Sequence, residues 1–201
     1  MKTIYTIGHS SHSLDYFFEL LASYGINTVI DIRSVPFSQY VPHFNKDYIK
    51  KQLKTRGFYC IYMGDELGIK QEEKKLYNTE GFLDFQKFQQ SSSFKKAIDR
   101  ITAGIEKGYE ICIMCTEKEP LDCHRGILIG PELTARNIEV KHILPGGTFR
   151  NQKHLEKDLL EIYFRNQLQE SFFINLNDRN HEETLISQAY IKRGEELARK
   201  V

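Results

Sequence analysis

The sequence predicts a three-layer α/β/α fold built on a mainly parallel sheet of about five strands, with helices appended at the C-terminal end. Strand-sized apolar runs alternate with segments of helical period. The runs are apolar on both faces, as the strands of a parallel sheet covered by helices require. After Pro145-Gly146-Gly147 the composition turns charged and Gln-rich. This divides the chain into a 1–150 α/β unit and a 151–201 helical extension that packs on that unit or projects from it.

Thr3 to Ile7 reads as a strand stopped by Gly8, and Ser13 caps a helix with Leu14, Phe17, Phe18 and Leu21 on one face and Gly25 as its stop. Thr28 to Ile32 is the second strand. Its loop, Arg33 to Phe44, holds two prolines, and Asn45 can cap a helix through Ile49 and Leu53 that ends at Gly57. Phe58 to Met63 is the third strand. Gly64 to Gln90 lacks regular period, and the charged run Lys70 to Lys75 reads as a solvated loop. Ser92 or Ser93 then caps a helix with Phe94, Ala97, Ile98, Ile101 and Ile105 inward, closed by Gly108. Tyr109 to Cys115 is the fourth strand. A helix from about Cys123 to Arg136, with Asn137 as a left-handed cap, leads to the fifth, Ile138 to Leu144. Asn151 to Glu170 and Glu182 to Val201 have helical period, with Leu155, Leu159 and Ile162 as one apolar stripe.

Composition bounds the function. With 28 Lys+Arg against 27 Asp+Glu in 201 residues, no global field draws the chain to nucleic acid, so any such contact needs a local patch. A mean hydropathy of −0.47 and the lack of a long apolar run exclude a membrane-spanning role. The four cysteines and a start without a charged leader and apolar core lead to the expectation of reduced thiols in a cytoplasmic protein. There is no P-loop pattern and no G-x-G-x-x-G after the first strand, which disfavours ATP hydrolysis and dinucleotide binding.

In an open parallel sheet ligands bind beyond the carboxyl ends of the strands. The unusual residues lie there. His9 and Ser10 follow the first strand, Asp31 and Arg33 flank the end of the second, and Cys115, Glu117, Cys123, His124 and Arg125 occupy the loop after the fourth. Cys115 reaches the floor of such a crevice, and Cys123, read at the first turn of a helix, has free N–H groups to stabilise a thiolate. Cys115, Cys123, His9, His124 and Glu117 are the candidate catalytic groups. Arg125, Arg33, Ser10 and Asp31 are the candidate ligand-binding groups, the arginines offering planar forks to an anion. The bland alternative makes Cys115 a core thiol and Asp31 with Arg33 a plain ion pair. His12 begins a helix, and Cys60 reads as core. Cys112 and Cys115 alternate faces in one strand, so their C-x-x-C spacing is no metal knuckle. His9, Cys115, Cys123 and His124 are acceptable zinc ligands in an unfamiliar spacing, so no metal is assigned and no cofactor is required. Tyr5, Tyr40, Phe44 and Tyr62 offer a weak case for a base-stacking surface.

The ordered motifs Tyr5-Thr6-Ile7-Gly8-His9-Ser10, Asp31-Ile32-Arg33-Ser34-Val35-Pro36, Phe44-Asn45, Glu66-Leu67-Gly68 and Cys115-x-Glu117-x-x-Pro120-x-x-Cys123-His124-Arg125 resemble those of the DUF488 family, over about residues 3 to 144. Thr116 and Gly126 stand where the family pattern has Ala and Ser. The resemblance implies no established reaction; it implies nucleotide or nucleic-acid-related work. A weaker likeness, through Val29 to Arg33 and Cys115, is to rhodaneses and cysteine phosphatases, although the interval from Cys115 to Arg125 is long for their thiolate cradle. The expected function is thus an enzyme acting on a nucleotide or nucleic-acid-derived, phosphate-bearing substrate. Sulfur transfer or phosphatase chemistry at Cys115, and a non-catalytic nucleotide- or partner-binding module, are the alternatives; a Cys115–Cys123 redox pair is a third.

Overall fold

A computed structural model describes residues 2–174 and 179–200, the side chains of 168–179 excepted. Five strands run parallel: β1 (Lys2–Gly8), β2 (Thr28–Asp31), β3 (Tyr59–Tyr62), β4 (Ile111–Cys115) and β5 (Ile138–Ile143). A sixth, β6 (Phe149–Asn151), returns antiparallel to β5, giving the order β3-β2-β4-β1-β5-β6. Three residues are too few to show alternation, which is why β6 does not stand out in the sequence.

Side chains alternate along each strand, and the helices cover both faces. On one face α1 (Leu14–Ser23) and α2 (Lys46–Thr55) press Phe17, Leu21, Ile49 and Leu53 against Ile7, Val29, Cys112 and Met114. On the other, α3 (Gly64–Leu67), α4 (Phe85–Gln90), α5 (Ser92–Glu106) and α6 (Gly130–Ala135) bury Phe88, Phe94, Ile98 and Leu133 against Ile30, Ile113 and Cys115. Cys112 and Cys115 thus lie in opposite layers.

Ser13 caps α1, accepting from Tyr16 N. The cap of α5 is Ser91, one residue before the predicted pair, accepting from Phe94 N. Asn45 precedes α2 without capping it: its Oδ1 accepts from Ser38 N and so ties the preceding loop. Gly57 and Asn137 take the left-handed conformation at helix ends (φ 83 and 60). The segment read as irregular contains α3, a 3₁₀ turn at Lys74–Leu76 and α4, capped by Asp84.

The helix predicted from Cys123 starts later. Cys123 is extended (φ −136, ψ 141), and a π-helical turn, Arg125–Ile129, leads into α6. Pro131 near the start of α6 has no N–H to return to the Gly126 carbonyl. Gln152 Nε2 donates to that carbonyl instead, at 2.7 Å.

Gln152 opens α7 (Gln152–Ile174), whose backbone breaks at Phe164, and α8 (Arg179–Ala198) follows. Leu155 and Leu159 are buried as predicted, but Ile162 is 57% exposed; Leu160 and Phe164 complete the apolar face and meet Ile127, Leu185 and Ala189. Val201, the last residue of the predicted tail helix, lies outside the described residues. A buried polar chain ties these helices to the sheet: the Thr6 hydroxyl donates to His142 Nδ1 (2.8 Å), His142 Nε2 donates to Gln152 Oε1 (2.7 Å), Gln152 Nε2 also donates to the Tyr190 hydroxyl, and Tyr190 donates to Glu156. Among the described residues no helix is long and apolar enough to cross a membrane.

His142 yields a prediction about pH. Burial, then the Arg125 charge, lowers its pKa from 6.5 to about 3, so the unfolded chain binds the extra proton between those values and stability falls as pH drops through that window. From pH 7 to pH 5 this histidine removes about 2 kcal/mol. Urea unfolding of wild type and His142→Asn at both pH values checks it: the variant loses that part of the pH dependence, and an unchanged dependence contradicts the assignment.

Candidate active site

The topology diverges between β1 and β4. The chain leaves β1 toward β2 on one face and leaves β4 toward β5 on the other. The two loops stay stitched past the sheet, His9 N donating to the Cys115 carbonyl and Ser10 N to that of Thr116, both at 2.9 Å. Ser10 takes φ 46 to do so. The opening therefore falls between the ends of β2 and β4, where a cavity of about 390 Å³ is walled by Arg33, Ser34 and Val35, by Cys115 to Glu117, by Asp122 to His124, and by Ile69, Lys70, Phe85, Leu197 and Lys200. That volume suits a small-molecule ligand.

Arg33 enters this wall as part of a rigid relay. Its Nε and NH2 donate to Asp31 Oδ1 and Oδ2 (2.8 and 2.6 Å) in a buried bidentate pair, and NH1 donates to His9 Nε2 at 3.0 Å. His9 Nδ1 donates to the Ser10 carbonyl, which fixes a neutral ring with Nε2 as acceptor. Burial, then the charge of Arg33, pushes the His9 pKa to about 3. The ring stacks on Phe44 at 4.2 Å. His9, Ser10 and Asp31 accordingly lie behind Arg33 rather than in the cavity wall.

The thiols meet at the floor. His124 Nδ1 lies 3.9 Å from Cys115 Sγ and 3.8 Å from Cys123 Sγ, all three residues being buried. The hydrogen bond to Cys123, together with burial, raises the Cys115 thiol well above its ordinary range. Burial alone raises Cys123 too, but the bond from Cys115 and the charges of Arg125 and His124 hold it well below that range. Burial, then Cys123, raises the Glu117 carboxyl in the cavity wall.

Arg125 has no exposed surface. Its NH1 and NH2 donate to the carbonyls of Glu117 and Lys118 (2.5 and 2.9 Å), so the fork holds the shape of the loop and lies outside the cavity wall. No carboxylate pairs with it among the described residues, and its Nε, like His124 Nε2, is buried without a partner. Gly8 and Gly126 permit this packing. A Cβ on Gly8 falls 1.8 Å from the Glu117 carbonyl oxygen, and one on Gly126, where the family pattern has Ser, falls 2.3 Å from that of Pro120.

The DUF488 family model, described as a domain of unknown function, matches residues 13–130. The chain belongs to the DUF488 family. The matched span carries Asp31, Arg33 and the whole Cys115 to Arg125 loop of this DUF488 protein, whereas His9 and Ser10 precede it. No curated protein and no solved structure matches the chain.

Five of the nine singled-out residues, Arg33, Cys115, Glu117, Cys123 and His124, line one cavity. Sequence reasoning missed Lys70, Phe85, Leu197 and Lys200. Lys70 sits in a run that reads as solvated surface, and the other three come from α4 and the C-terminal end, whose approach to the β4 loop no local pattern signals. That approach is anchored: Arg193 pairs with Asp122 and its Nε donates to the Leu121 carbonyl at 3.0 Å. None of Tyr5, Tyr40, Phe44 and Tyr62 lines the cavity; Phe85 does.

Proposed function

We propose that this cavity is the active site of an enzyme acting on a phosphate-bearing, nucleotide or nucleic-acid-derived substrate. Arg33, Lys70 and Lys200 meet the phosphate, Phe85 offers an aromatic surface to a base, and Glu117 moves a proton beside the Cys115, Cys123 and His124 cluster. One observation carries the reading: three cationic side chains and a convergent thiol–imidazole–carboxylate group share a cavity at the carboxyl ends of β2 and β4, where open α/β sheets hold ligands. Sulfur transfer or phosphatase chemistry at Cys115 has less support, because the loop after it turns the Glu117 and Lys118 carbonyls to Arg125 rather than a ring of N–H groups to an anion.

A turnover screen of nucleotides and phosphoesters tests the catalytic claim. The wild-type chain converts at least one of them, and Glu117→Gln lowers that rate by about 100-fold or more without lowering thermal stability. Undiminished turnover in the variant removes Glu117 from the chemistry. Ligands that bind wild type and are never converted leave a binding module in place of an enzyme.

A further inference from the structure

We propose that Cys115, Cys123 and His124 form a zinc site with one coordination position open to the cavity. The donor atoms of the three residues lie within 4.8 Å of one another, and the two sulfur–nitrogen separations are 3.9 and 3.8 Å. Tetrahedral bonds of about 2.3 Å to sulfur and about 2.0–2.1 Å to nitrogen place sulfur and nitrogen about 3.6 Å apart and two sulfurs about 3.8 Å apart. The two sulfur–nitrogen separations thus stand within a few tenths of an ångström of those that a bound ion requires. Two thiols and an imidazole select zinc over magnesium or calcium, and three protein ligands with one open position are the pattern of a reactive zinc rather than a structural one.

The backbone explains how adjacent residues supply two ligands. Cys123 is extended, and His124 turns at once into helical conformation (φ −58, ψ −21), so their side chains reach one point although they are neighbours in sequence. Cys115 is held there as the last residue of a strand paired on both sides, its carbonyl accepting from His9 N. All three ligands line the cavity, as does Glu117, two residues beyond the first of them. A glutamate so placed after a first zinc ligand is the proton carrier, and not a ligand, of zinc deaminases.

Metal binding stands by itself; its chemical role rests on the active-site reading above. That role is hydrolysis. A water on the ion gives one proton to Glu117, its oxygen bonds to an electrophilic carbon or phosphorus of the substrate, the bond to the leaving group breaks, and the leaving group takes the proton from Glu117. Nothing is oxidised or reduced.

The test uses the full chain, purified without chelator. Elemental analysis finds one zinc per chain, and the protein stripped of metal and loaded with cobalt shows the thiolate-to-metal charge-transfer band and the visible bands of tetrahedral cobalt. Cys115→Ser and Cys123→Ser each weaken zinc binding by about 100-fold or more. Cys60→Ser and Glu117→Gln leave the stoichiometry at one. Folded wild-type protein that takes up no zinc, or cobalt bound without the thiolate band, overturns the proposal, and this wild-type result stands even if a cysteine variant fails to fold. The same preparations are assayed for stabilisation by nucleotides: stabilisation without any zinc uptake overturns the metal site and leaves the active-site reading, and zinc at one per chain without nucleotide binding does the reverse.

Discussion

Gly8→Ala is expected to lower stability by more than about 4 kcal/mol, which for a chain of this size is a fall of about 10 °C or more in Tm. The added Cβ falls 1.8 Å from the Glu117 carbonyl oxygen and 2.7 Å from its carbon, which are backbone atoms and not the end of a flexible side chain. Neither loop can yield cheaply. The first is bonded to the second through His9 N and Ser10 N, and the second is held by the Arg125 fork. Relief requires giving up those bonds, and with them the shape of the cavity wall from Cys115 to Glu117. Thermal unfolding of the variant measures the loss; a Tm within a few degrees of wild type contradicts this account of the loop packing.

Asp31→Ala is expected to cost about 3–5 kcal/mol. The carboxylate accepts from Nε and NH2 of Arg33 and from the Arg33 backbone N–H, and both side chains are buried. Alanine leaves the guanidinium charged and unpaired in the interior, with neutral His9 as its one remaining side-chain partner among the described residues. Removing both charges in Asp31→Leu with Arg33→Met spares that penalty, so the double variant is expected to be more stable than Asp31→Ala. Denaturant unfolding of the set decides. A double variant no more stable than Asp31→Ala assigns the cost to packing instead of the stranded charge.

The layers of the fold were legible because each strand and helix writes its own period: Ile111 to Cys115 is apolar throughout, and Phe94, Ala97, Ile98, Ile101 and Ile105 recur at helical spacing and are all buried in α5. Local signals failed where a distant partner decides the structure. Ile162 fits the helical stripe with Leu155 and Leu159 yet faces out, because the docking of α7 selects Leu160 and Phe164. In the π-helical turn after His124, the Gly126 carbonyl takes a donor from Gln152 at the start of α7, a partner that no local pattern signals. The site shows the same division. Cys115, Glu117, Cys123 and His124 share one loop, so their nearness in the chain marks them as a group. Arg125 has the side chain of an anion clamp, but its burial beneath Gly8 makes it a support for the loop, which only the packing reveals. Lys70 and Lys200 are far apart in the chain, and nothing near either announces the other.

Thermal shift is the most direct test of whether the cavity between the ends of β2 and β4 binds a phosphate-bearing ligand, as proposed. Lys70 is exposed and Lys200 keeps 63% of its side-chain surface, so Lys70→Ala with Lys200→Ala removes cavity cations without disturbing the core. At about 100 times its dissociation constant a nucleotide stabilises the native state by about 2.7 kcal/mol, a rise of about 5–10 °C in Tm. That rise is expected in wild type, with most of it lost in the double variant at the same ligand concentration. No rise with any nucleotide or phosphoester, or an equal rise in both proteins, contradicts it.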